Sequence, residues 1–117
     1  MIENPHELVE VLREARDIIL DRVNWSRGKL RREGPDGVQL CALGALDVAL
    51  RNHLNIARTA AFDFLQFSAS GLFGRSVATV NDAWEGDLGC DPFDAVHQIY
   101  AHAIKQAEAL STTSDKE

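Results

Sequence analysis

The stretch Leu40-Cys41-Ala42-Leu43-Gly44-Ala45-Leu46-Asp47-Val48-Ala49-Leu50 decides the fold, because ten of its eleven residues are apolar or small. A helix that is apolar on all sides belongs in a core. Cys41, Ala45 and Ala49 stand at i, i+4 and i+8 with Gly44 beside them, a line of small side chains along which a second helix can approach closely. Gly44 costs a helix interior about 1 kcal/mol relative to Ala, and close packing is the reason to expect it there.

Working outward, Asn4-Pro5-His6-Glu7 is a helix start, with Asn4 as cap, Pro5 in the first turn and Glu7 reaching back. Leu8, Val11, Leu12, Ala15, Ile18 and Ile19 form one apolar stripe, so the spacing predicts a helix over about 5–23. Residues 29–40 turn around Gly34-Pro35-Asp36-Gly37, which suits a type I turn. A short β-hairpin and a plain loop both stay open there. Ala57, Ala60, Ala61, Phe64 and Leu65 predict a further helix stopping near Gly71, and Val77, Val80 and Trp84 a short one between Ser76 and Gly86. Asp91-Pro92 opens the last helix, with Val96, Ile99, Tyr100, Ala103, Ile104, Ala107 and Leu110 as its stripe. The fold class is therefore mainly α: a compact bundle of four to five helices around a buried central helix at about 41–50. Residues 1–110 make one helical domain and 111–117 a disordered tail.

At 117 residues one domain can bury roughly two-thirds of its unfolded surface, so no metal or disulfide is needed. Two cysteines are too few for a disulfide scaffold, and the N-terminus has no signal-peptide pattern. With no apolar stretch of membrane-spanning length, a reduced, cytoplasmic setting without membrane contact is expected. The net charge is −6, which disfavours nucleic acid. The charge is segregated. Arg22, Arg27, Lys29, Arg31 and Arg32 lie in one segment without acids, whereas Asp82, Glu85, Asp87, Asp91 and Asp94 lie in another without bases.

Cys41 is the candidate nucleophile, since a helix start lowers a thiol pKa, with His53, His97 or His102 as base and Asn81 or Asp82 in support. Its apolar setting favours packing instead. A zinc set of Cys41, Cys90, His97 and His102 lacks ligand spacing, because His97 and His102 are five apart and no C-x-x-C occurs. A calcium loop from Asn81 would place Ala83 and Pro92 where oxygen ligands belong. No metal and no cofactor are expected. Trp25, Arg27, Lys29, Arg31 and Arg32 form the candidate contact face, for a protein partner or, as the alternative, for nucleic acid by phosphate clamping and stacking. Trp25 also reads as an anchor holding its loop to the core.

Trp25-Ser26-Arg27-Gly28, then Cys41-Ala42-Leu43-Gly44-Ala45-Leu46, then Val80-Asn81-Asp82-Ala83 before an amphipathic helix resemble a family of small actinobacterial and actinophage proteins. That family carries W-x-x-G, C-A-L-G-A-L and W-N-D-A in this order. Val80 stands where the family usually has Trp, and Trp84 supplies an aromatic one turn later. The resemblance spans about Leu8 to Ala107 and implies a domain without an assigned activity. It marks Gly28, Cys41, Gly44, Asn81 and Asp82 as motif residues, and Asn81-Asp82 are expected to cap the short helix and bond the loop before the last one. The expected function is a small interaction or regulatory protein, phage-encoded and acting on a host or phage protein in the host cytoplasm. A homodimer and a Cys41-dependent hydrolase or transferase stay open beside it.

Overall fold

The apolar stripe that starts at Leu8 builds α1, Pro5–Ile18, in a computed structural model that describes residues 5–26, 31–34, 37–53, 58–83 and 85–115. Leu8, Val11, Leu12 and Ala15 are fully buried, and each larger side chain among them contributes about 1.5–3 kcal/mol. The helix ends earlier than the expected residue 23. Ile19 and Leu20 donate to Arg16 and Asp17 carbonyls in tightened turns, and a 3-10 turn follows over Arg22–Asn24. Ile19 remains fully buried beyond the last helical residue, so the stripe outlasts the helix that carries it. The expected cap Asn4 lies outside the described residues.

The excursion after it is a hairpin. Strands β1, Arg31–Gly34, and β2, Gly37–Leu40, pair antiparallel with Arg31 opposite Leu40 and Gly34 opposite Gly37. Gly37 has φ +116°, a conformation that favours glycine. The turn residues Pro35 and Asp36 lie outside the described residues. Trp25 bridges Leu40 in parallel, and Ser26 N donates to Leu40 O at 3.0 Å, which sews the end of the 3-10 turn to β2.

Helix α2 is Ala42–Leu50 with Cys41 as its cap, close to the expected 41–50. Ala42, Gly44, Ala45, Leu46, Ala49 and Leu50 are buried. Gly44 is the third helical residue rather than mid-helix, and its N–H points back to the cap. Helix α3 runs Arg58–Phe73 and is closed by Gly74, φ +66°, whose N–H bonds Ser70 O at 2.8 Å, the left-handed stop that glycine supplies. Two short helices follow, α4 at Val77–Asp82 and α5 at Glu85–Leu88. The expected single helix from Ser76 to Gly86 is therefore two; Trp84 lies outside the described residues.

Asp91 opens α6, Pro92–Asp115, and its Oδ1 accepts from Phe93 N at 2.9 Å. The helix passes the expected boundary at residue 110, and the tail assigned as disordered from 111 is helical backbone as far as 115. Propagating a formed helix needs one bond per residue and no new nucleus, so a polar sequence can follow it. Helix α6 lies along α1, α3, α4 and α5, while α2 packs on α1 with further contacts to α3, α4 and β2. Tyr100, Ile99, Val96 and Ala103 fill the space between them. Among the described residues no helix is long and apolar enough to cross a membrane.

Candidate functional site

Helix α2 begins with N–H groups that have no partner within the helix, and what satisfies them defines the first candidate site. Cys41 Sγ accepts from Gly44 N at 3.3 Å. Ala42 N donates to Asn81 Oδ1 at 3.0 Å, and the indole Nε1 of Trp25 donates to the same oxygen at 2.7 Å. Asn81 Nδ2 donates to Ser26 O at 3.0 Å and to Asp82 Oδ1 at 2.9 Å. The amide thus uses both lone pairs and both hydrogens, and a flipped amide would face donors with donors. Tyr100 completes the junction, its hydroxyl donating to Ala42 O at 2.6 Å. Burial foremost, and then the neighbouring Cys41, push the Tyr100 phenol far above the usual tyrosine range.

Asn81 reaches this place because Ser76 caps α4 and Val77 and Val80 turn inward, leaving Asn81 buried in the last turn. This corrects its expected role: Ser76, not Asn81, caps the short helix. Asn81 serves the start of α2 and the 25–26 segment rather than the loop before α6. Asp82 is exposed. Trp25, expected on a contact face, is buried at 8 % exposure, with its ring edge against Phe93 at 5.5 Å between centroids. The anchor reading of Trp25 is the one the geometry matches. Arg27, Gly28 and Lys29 lie outside the described residues, as do the side chains of Arg31 and Arg32. Arg22 is placed over the Phe93 ring, 4.8 Å from its centroid, and pairs with Asp91, so one base of the basic run does meet one acid of the acidic run.

Cys41 is buried and its sulfur is engaged with Gly44. The three histidines considered for it are held elsewhere. His53 faces Glu14 at 2.5 Å and Glu7 at 3.4 Å, tying the turn after α2 to α1. His97 Nε2 donates to Ile19 O at 2.8 Å, and His102 Nδ1 pairs with Ser68 Oγ at 2.9 Å. Cys90 is half-buried. Among the described residues no three His, Cys, Asp or Glu side chains gather as a metal cluster.

The second candidate site is a groove of about 400 Å³ between α3 and α6, lined by Asp63, Phe64, Phe67, Ser68, Gln106 and Leu110. Phe67 is 78 % exposed and Leu110 41 %. Single exposed apolar residues are ordinary, whereas several lining one cleft mark a contact site. Ser68 of this wall pairs with His102, but Ser68 is well inside α3. Mid-helix backbone N–H groups are spent within the helix, so they build no oxyanion hole, and the pair is a structural bond rather than a catalytic dyad. Sequence reasoning missed Phe67 and Gln106. The signal was there: Phe62, Phe64 and Phe67 fall within six residues, more aromatic surface than one buried helix face accommodates.

A family model for a family of unknown function (DUF6197) matches residues 3–106. The chain belongs to this family. No curated protein and no solved structure matches it. The stretch matched to DUF6197 contains every residue of the Asn81 junction and the groove wall as far as Gln106, with Leu110 beyond it.

Proposed function

We propose that this chain is a small protein-binding module whose contact site is the groove between α3 and α6. The observation that carries the reading is Phe67, a large aromatic left 78 % exposed at the edge of an apolar cleft. Aromatic anchors in apolar clefts are what protein interfaces use as centres of affinity. The junction around Asn81 offers no such opening, because its polar atoms are already paired with one another. The resemblance to actinobacterial and actinophage sequences makes a host or phage protein the expected class of partner.

A photoreactive residue at position 67, set against one at Val38 on the hairpin, tests the site in lysate of the source cell. The expected adduct forms from position 67, is suppressed by excess unmodified protein, and is not suppressed by excess Phe67→Asp. An adduct formed only from position 38 moves the contact face to the hairpin and overturns the proposal.

A further inference from the structure

The chemistry of the groove narrows its occupant, on the reading that it is a protein-binding site. The lining comes from rows one turn apart on two neighbouring helices: Asp63, Phe64, Phe67 and Ser68 on α3, Gln106 and Leu110 on α6. A furrow between two helices receives a third helix, whose side chains enter at i, i+3 and i+4 spacing. The floor asks for apolar side chains. Ser68 is its buried polar group, and it is already bonded to His102 at 2.9 Å, so covering it with an apolar side chain leaves no bare hydroxyl. The rim asks for positive charge. Among the described lining residues Asp63 is the one that is charged; it is exposed, and the whole chain carries −6. Electrostatic complementarity selects partner and register more than it adds affinity.

We infer that the α3–α6 groove receives an amphipathic helix of a partner protein, with an apolar stripe against Phe64, Phe67 and Leu110 and a lysine or arginine beside Asp63. This helix is distinguished from an acidic helix and from a second copy of this acidic chain by its charge.

The probe is a pair of synthetic helical peptides of about 16 residues with the same Leu/Phe stripe, one flanked by Lys and one by Glu, followed by fluorescence anisotropy at about 0.15 M salt, where distant charges are screened. The Lys peptide is expected to bind about fivefold tighter or better, as one partly desolvated charge pair allows. Phe67→Ala is expected to weaken it about tenfold. Asp63→Lys should remove the preference for Lys over Glu, whereas Glu10→Lys, the same charge change on α1, which lines no part of the groove, should leave it in place. Phe67 and Asp63 are both exposed, so a circular dichroism spectrum unchanged by either substitution separates binding from folding. Peptides of both charges binding equally through Phe67 would overturn the basic partner while leaving the groove as a protein-binding site. Binding that ignores Phe67→Ala, or no binding by either peptide, overturns the helix-in-groove proposal itself.

Discussion

Replacing Asn81 by Leu, close in size but without polar atoms, should be among the most damaging single changes in this chain. The substitution strands two buried donors, the Trp25 indole N–H and the Ala42 N–H, held in the wild type at 2.7 and 3.0 Å. Each stranded neutral group costs about 1–2 kcal/mol, in the lower part of the range for unmade buried hydrogen bonds, so the total is about 2–4 kcal/mol. That is a large share of the roughly 5–15 kcal/mol by which a domain is stable. In urea, with a slope of about 1.5 kcal/mol/M, the midpoint followed by circular dichroism should fall by about 1.3–2.7 M. A double-mutant cycle isolates the cause. Trp25→Phe removes one of the stranded donors, so in the Asn81→Leu background it should cost at least about 1 kcal/mol less than in the wild type. An Asn81→Leu cost below about 1 kcal/mol, or strict additivity of the two changes, would refute the assignment of Asn81 as the shared partner of these groups.

The buried phenol makes the chain alkali-sensitive. The folded state holds the Tyr100 phenol above its unfolded value of about 10, so this contribution to stability is complete below pH ~10 and is lost as pH rises beyond it. Because Tyr100 is the sole tyrosine, absorbance near 295 nm should show no phenolate until the helix signal collapses; phenolate appearing in the folded protein would contradict its burial. Cys41→Ala should cost about 1 kcal/mol as a lost cap, whereas Cys41→Ser, which restores a capping oxygen, should cost less, as urea midpoints will show. In thiol titration of the native protein, half-buried Cys90 should react well before Cys41, and prompt labelling of Cys41 would reopen its candidacy as a nucleophile. Phe67→Gln should shift stability by no more than about 0.5 kcal/mol, because the ring is mostly exposed; a loss of several kcal/mol would mean that the ring belongs to the core.

Helices α1 and α6 were legible because their apolar positions recur at helical spacing after Pro5 and after Asp91-Pro92, and α2 because it is apolar on every side. Where the reading slipped, the cause is specific. Periodicity registers which side chains point inward, not which N–H bonds which carbonyl, so buried Ile19 made α1 look longer than it is. The opposite error occurred at the end of α6, where polar composition suggested an end and the backbone continued to Asp115. The hairpin at 31–40 was one of two open readings, since a four-residue strand with a single buried residue, Leu40, leaves little alternation to read. The role of Asn81 was out of reach for another reason. Its partners Trp25, Ser26 and Ala42 are 56, 55 and 39 residues away along the chain, and no local pattern encodes a contact of that span.

That convergence bears on where activity should be sought. Trp25-Ser26, Cys41-Ala42 and Asn81-Asp82 come from three separate stretches of the chain, and every one of these pairs contributes an atom to the junction at the head of α2. Their spacing therefore expresses a folding constraint: an asparagine amide must meet an indole N–H, a helix-start N–H and a loop carbonyl at once. Groups so fully engaged with one another have little left to offer a substrate or partner. Phe67 and Leu110 have the reverse character. They add little to the core, expose apolar surface to water, and face a cleft wide enough for side chains from another molecule. A residue that is costly to expose and contributes little inside is better explained by something that covers it, which is why the groove, and not the buried thiol of Cys41, is where a binding partner should be looked for.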